Sequence, residues 1–192
     1  MCLISRMRIM KILILATCFT SAIFAQTLKV EPLYGFERTY RIEPAPAKYV
    51  TRNYLGARAT YGTSLLSGEL EVSQSEDKDS FPDSNQSIEY TIIRALLGIK
   101  SYPIRSEYFG AYARAGGRYR KEDRTIETNG VTTEDKGEGK IDPYAGAGLT
   151  VALNNFFALD AGVTYIYNDD MPSGKEWDRQ LSLSISFKLG NR

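Results

Sequence analysis

The chain has no histidine. That removes the usual base of Ser–His and Cys–His catalysis and the commonest nitrogen ligand of zinc. Its two cysteines, Cys2 and Cys18, both lie in the leader, so the body of the chain has no disulfide framework. No apolar run reaches the roughly 18 uninterrupted residues that mark a membrane-spanning helix. Neither sign of charge is in excess, with 24 Lys and Arg against 23 Asp and Glu. Without a basic surplus the chain lacks the electrostatic footprint of a nucleic-acid binder. No segment joins helical periodicity to matching caps.

What is present begins with a basic and then apolar leader. Arg6, Arg8 and Lys11 precede Ile12-Leu13-Ile14-Leu15-Ala16, and Ala22-Ile23-Phe24-Ala25 ends on a small residue. That is the order of a secretory signal. Residues 1–25 are therefore expected to be cleaved, starting from Met1, Met7 or Met10, and residues 26–192 to form the folded domain. Leu15-Ala16-Thr17-Cys18 also resembles a lipoprotein box, but Thr17 is bulkier than the residue usual before a lipidated cysteine. The leader takes three bases and no acid, which leaves 21 bases against 23 acids in residues 26–192.

From Leu28 onward apolar and polar residues alternate with period two, in eight stretches of about ten residues, the length a tilted strand needs to cross a bilayer. The fifth is typical: Phe109, Ala111, Ala113, Ala115 and Tyr119 share one face, and Gly110, Tyr112, Arg114, Gly116 and Arg118 the other. In the fourth, Ile88, Tyr90 and Ile92 have the opposite parity to Ile93, Ala95, Leu97 and Ile99, and a bulge there would reconcile them. Three connections are short: Gly62-Thr63-Ser64, Ser101 to Ser106 with Pro103, and Asn154-Asn155. Four are longer and polar: Arg41 to Lys48, Gln74 to Ser87, Lys121 to Lys140, and Asp169 to Glu176. The two kinds alternate, as periplasmic turns and outer loops do in a membrane barrel. The expected fold is all-β: an eight-stranded antiparallel up-and-down transmembrane β-barrel.

The two faces argue for a membrane and against a soluble barrel around a greasy ligand. The polar face is rich in Gly, Ser and Thr and carries Arg52, Arg58, Glu69, Glu71, Arg94, Arg114, Arg118, Asp142 and Asp160, a candidate charge network inside a narrow barrel. Aromatics gather at strand ends. Tyr40, Tyr49, Tyr119, Tyr165, Tyr167 and Trp177 fall near the outer rim, and Tyr61, Tyr102, Phe109, Phe156, Phe157 and Phe187 near the periplasmic rim, as an interfacial girdle would.

Pro143-Tyr144-Ala145-Gly146-Ala147-Gly148-Leu149, Leu159-Asp160-Ala161-Gly162-Val163-Thr164-Tyr165 and Leu181-Ser182-Leu183-Ser184-Ile185-Ser186-Phe187 resemble strands of the small OmpA/OmpX-like outer-membrane barrels. The resemblance spans residues 26–192 and implies an outer-membrane location, contact with membrane lipid and lipopolysaccharide, and a last strand read by the barrel-insertion machinery. Here that strand continues through Leu189-Gly190-Asn191-Arg192 instead of ending on an aromatic. No peptidoglycan-binding domain is expected after it.

For chemistry, Glu69 with Glu71, and Asp142 with Asp160, are candidate carboxylate pairs. Interior carboxylates beside arginines have the simpler reading of ion pairs that offset desolvation. The acidic groups Glu76-Asp77-Lys78-Asp79 and Asp169-Asp170 with Glu176 and Asp178 match no EF-hand and read as solvated loop charge. Gly130 and Gly137-Glu138-Gly139 read as flexible spacers. No catalytic residue, cofactor or metal is implied. The expectation is a non-enzymatic structural or surface-interaction barrel. The alternatives are a narrow or gated channel and a soluble periplasmic lipid-binding barrel.

Overall fold

The computed structural model describes residues 27–42, 46–63, 65–81 and 86–189. The leader and its cleavage point, and the closing Gly190–Arg192, lie outside the described residues. The strands are β1 (Thr27–Arg41), β2 (Lys48–Gly62), β3 (Leu66–Phe81), β4 (Gln86–Arg105), β5 (Phe109–Thr128), β6 (Val131–Lys136), β7 (Lys140–Ala152), β8 (Phe157–Tyr167) and β9 (Trp177–Leu189). All pairings are antiparallel. Eight strands close a ring: β1 pairs with both β2 and β9, and β4 pairs with β5. Closure leaves no sheet edge within the ring, so the ladder itself satisfies its backbone groups.

Alternation turns the ring inside out relative to a water-soluble barrel. Leu97 and Ile141 are 69% and 74% exposed, whereas Arg94 and Arg118 are 0% exposed. The apolar face points outward, which excludes the soluble lipid-binding barrel, whose greasy face would line the interior. Among the described residues, the one cluster of mutually packed buried apolar side chains is small: Leu96, Tyr144 and Ile166. Beyond these and the separately buried Leu33, Ile88, Ile92 and Ala158, the interior is filled mainly by charged and hydroxylated side chains.

Three expectations are corrected. The irregular start of the fourth stretch contains no bulge, because the β4–β5 register runs unbroken from Gln86 opposite Thr128 to Ser101 opposite Ala113. Ile88, Tyr90 and Ile92 simply point inward, in phase with Arg94 and Leu96. The break in register lies between Ser101 and Ile104, around Pro103, which has no N–H to give a ladder. The segment expected to be a turn is therefore bulged strand, and Tyr102 turns inward, buried against Tyr112, instead of facing lipid at the rim.

The third correction concerns two of the long polar connections. β3 and β4 pair as far as Phe81 opposite Gln86. β5 runs on to Thr128 and folds back into β6 through Asn129-Gly130. Both turn residues have positive φ, 53° and 81°, as a two-residue hairpin turn of primed type demands, so Gly130 is a hairpin tip and not a spacer. The polar composition marked contact with water, not loss of strand. β3, β4, β5 and β6 thus rise past the ring as one sheet wall at the end that carries the long connections.

Small residues make room for the few large interior rings. A Cβ on Gly148 would lie 2.3 Å from Cζ of Tyr112 and 2.4 Å from the Ala161 carbonyl oxygen. Gly148→Ala is expected to destabilise the barrel by about 1–3 kcal/mol through overpacking. Urea unfolding in lipid vesicles measures this, and an unchanged midpoint would mean that the Tyr112 ring does not press on β7.

Candidate functional site: the charged lumen

The inward positions of neighbouring strands stack charges across the lumen. Fourteen charged residues are buried among those described, seven acids and seven bases. A charge taken from water is tolerated only where partners replace its hydration, and the pairs here do so in two layers.

The layer nearer the short turns is built around Arg58 and Arg114. Arg58 donates to Glu31 at 3.0 Å and to Glu71 at 2.8 Å. Arg114 donates to Glu71 at 3.1 Å and lies 2.9 Å from Glu69, which also accepts from the Tyr144 hydroxyl at 2.8 Å. Lys100 sits 3.5 Å from Glu31 and 3.6 Å from Asp160. Asp160 in turn accepts from the Thr150 hydroxyl.

The second layer has Glu37 as its hub. That carboxylate accepts from Arg94, from Arg118 at 2.7 Å and from the Gln180 amide at 3.1 Å. Arg118 also donates to Asp142 at 2.9 Å and to Asp178 at 3.2 Å, and Arg94 to the Ser75 hydroxyl at 3.0 Å. Arg52 stands beyond this layer and donates to Asp77 at 3.0 Å.

The structure thus groups Arg58, Arg114, Glu69 and Glu71, joins Arg118 to Asp142, and gives Arg94, Arg52 and Asp160 other partners. Asp142 and Asp160 form no carboxylate pair. Asp160 is opposite Thr150, eight residues along β7 from Asp142, which is about 26 Å of strand. Glu31, Glu37, Lys100 and Asp178 were absent from the expected network. The first three alternate onto the same polar face, so the pattern that selected Arg58 also points to them. Asp178, which the sequence places beside an acidic loop cluster, is fully buried, because β9 begins at Trp177 and turns it inward.

Tyr102 apart, the expected rim aromatics face outward and several pair edge to face: Tyr40 with Tyr49 at 5.1 Å, Tyr167 with Trp177 at 5.3 Å and Phe157 with Phe187 at 5.3 Å between ring centroids. Tyr61, Tyr119 and Tyr165 are exposed on the same outer surface.

At the wall end, Lys140 reaches from β7 to the loop after β8, at 2.5 Å from Asp169 and 2.6 Å from Asp170. The hydrogen bond from Lys140 holds the Asp169 carboxyl below its ordinary value of 3.8. A depressed carboxylate stabilises the folded loop above that ordinary value and loses the effect as pH falls through the depressed one. Acidification below about pH 4 is therefore expected to loosen this loop before the barrel. Amide hydrogen exchange at Gly174, compared with that at Gly146, measures this.

Residues 49–192 match the sequence model of the OmpA-like transmembrane domain. Ail of Yersinia pestis, solved in complex with the heparin analogue sucrose octasulfate, is similar with a TM-score of 0.59 at 12% identity, over 86% of this chain and 99% of that one. CarO of Acinetobacter baumannii gives a TM-score of 0.54 at 11% identity, over 84% and 97% of the two chains. Neisserial surface protein A gives 0.53 at 12% identity, over 85% and 96%. At these identities the likeness is one of fold. No curated protein sequence matches the chain.

Proposed function

The chain belongs to the OmpA-like transmembrane domain family, and from that premise we propose a non-enzymatic barrel whose lumen is a closed plug and whose sheet wall presents a surface to the medium. Its place is the bacterial outer membrane. The outward aromatics at both rims would sit where lipid meets water. The partners of this reading are membrane lipid and lipopolysaccharide around the barrel, and the barrel-insertion machinery that would read β9 during assembly.

The observation that carries the plug is the cross-lumen pairing itself. Eight strands enclose an interior that side chains can fill, and here the fillers are guanidiniums and carboxylates, several of them bonded across the lumen between strands that are not neighbours in the ring. Moving a hydrated ion through them would require breaking buried pairs. A narrow gated channel is the second reading, and the cavities favour it. One of about 630 Å³ opens at the short-turn end, smaller ones of about 350 and 280 Å³ open at the wall end, and the paired layers lie between.

Planar-bilayer recording separates the two readings. The wild type is expected to pass little or no current, and Arg114→Ala to leak, because it removes the guanidinium shared by Glu69 and Glu71. A wild type with clear single-channel steps, and an equally stable Arg114→Ala with altered ion selectivity, would overturn the plug.

A further inference from the structure

Where the wall leaves the ring, four guanidiniums converge on one cavity of about 280 Å³: Arg41 from β1, Arg52 from β2, and Arg120 and Arg124 from β5. Its lining includes a single carboxylate, Glu122, which is already committed, accepting from Arg120 at 2.6 Å and from Arg124 at 3.1 Å. Behind the cavity Arg41 is held by Asp79 at 2.5 Å and Arg52 by Asp77 at 3.0 Å. Three carboxylates thus serve four guanidiniums among the described residues.

The donors are not used up. Arg41 and Arg52 are 8% and 4% exposed, yet Nε and Nη2 of Arg41 and Nη2 of Arg52 are buried with no hydrogen-bond partner, as is Nε of Arg120. A buried charged donor left unmade is destabilising, so this cavity is short of an acceptor. The groups are also held in place. The Tyr90 ring, 1% exposed, lies 5.1 Å from the guanidinium carbons of Arg41 and Arg52 and 5.8 Å from that of Arg124. That cation–π platform keeps three like charges facing one point. The neighbouring cavity shares Arg120, Glu122, Arg124 and Met171 with this one and adds four carboxylates and Lys140, so the excess of positive charge that attracts an anion lies toward Arg41 and Arg52.

We propose that this mouth is a binding site for a tetrahedral oxyanion, a phosphate or sulfate group, gripped by Arg41, Arg52, Arg120 and Arg124. Planar guanidinium forks match pairs of oxyanion oxygens. The assignment deepens the surface-interaction reading above and rests on its placing the wall end toward the medium. The group is carried either by a lipid headgroup or by a free solute.

The test uses the full barrel refolded in octyl glucoside, which has no phosphate. Inorganic phosphate and sulfate are titrated against chloride at matched ionic strength while the arginine Nε–Hε signals are followed by NMR. Saturable shifts are expected at the four arginines and not at Arg105, which lines the opposite mouth. Arg124→Gln, the least buried of the four, should weaken binding about tenfold, while Arg105→Gln leaves it unchanged. Migration of heated and unheated samples on a detergent gel shows that each variant is folded. In glycolipid nanodiscs, shifts produced by added lipid A alone identify a headgroup as the source, and shifts produced only by the free anions identify a solute. Absence of saturable shifts in both arms, or shifts indifferent to Arg124→Gln, overturns the site. Failure here in a barrel that does not conduct removes the site and leaves the plug; binding in a barrel that conducts does the reverse.

Discussion

Glu37→Ala is expected to lower the unfolding free energy of the barrel by about 3–5 kcal/mol, the cost of breaking a buried ion pair from one side. Glu37 accepts from Arg94, Arg118 and Gln180. Arg118 keeps Asp142 and Asp178 when Glu37 is gone, but Arg94 keeps only the Ser75 hydroxyl among its hydrogen-bond partners. Most of the loss therefore falls on Arg94, a fully buried guanidinium without a counter-charge. Glu37→Gln retains an acceptor and should fall between alanine and the wild type. Replacing both partners, Glu37→Leu with Arg94→Met, removes the orphan together with the pair and should recover part of the loss. Urea unfolding in lipid vesicles reads all three. A Glu37→Ala barrel within about 0.5 kcal/mol of wild type, the range of an ordinary surface substitution, would mean that water reaches this layer and that the lumen is not dry.

Ala147→Arg probes the opposite face and should destabilise the barrel by about 2–4 kcal/mol if Ala147 lies near the midplane of the bilayer. Ala147 is exposed on the outer surface near the middle of β7, opposite Ala113 on one side and Val163 on the other. No acid is next to it to take the charge, and the guanidinium would have to snorkel from the middle of the strand. Ile141→Arg at the end of the same strand and on the same face provides the internal comparison, expected at about 0–1 kcal/mol because the interface lies within reach. Depth dependence along one strand is what a lipid surface produces and a water surface does not. Equal, small effects at both positions would remove the bilayer from the outer face of β7.

Much of this architecture is legible in the residues because a strand has only two faces. Once Phe109, Ala111, Ala113 and Ala115 alternate with Gly110, Tyr112, Arg114 and Gly116, the inward and outward sets follow without knowledge of any partner strand. The alternation of long and short connections then makes neighbours antiparallel and ordered as in the chain. By the same rule Glu31, Glu37 and Lys100 were legible as inward charges.

What the chain order does not contain is who meets whom across the lumen. Glu37 and Arg118 lie 81 positions apart, and Arg118 and Asp178 lie 60 apart. Their contact depends on ring closure and on the stagger of each strand pair, which set the height of every side chain along the barrel. The same stagger parts Asp142 from Asp160. Tyr102 points inward because β4 continues through the expected turn and keeps the phase of Lys100. Polar sequence is equally compatible with loop and with strand exposed to water, so the wall of β3 to β6 emerges only through its pairing. The barrel, the eight strands of its ring and the face that meets lipid can be read from the residues, because these depend on period-two alternation within single strands. The tertiary structure alone decided the two ion-pair layers, the hub at Glu37 and the arginine mouth, because a long-range pair depends on closure and stagger, which no local pattern encodes.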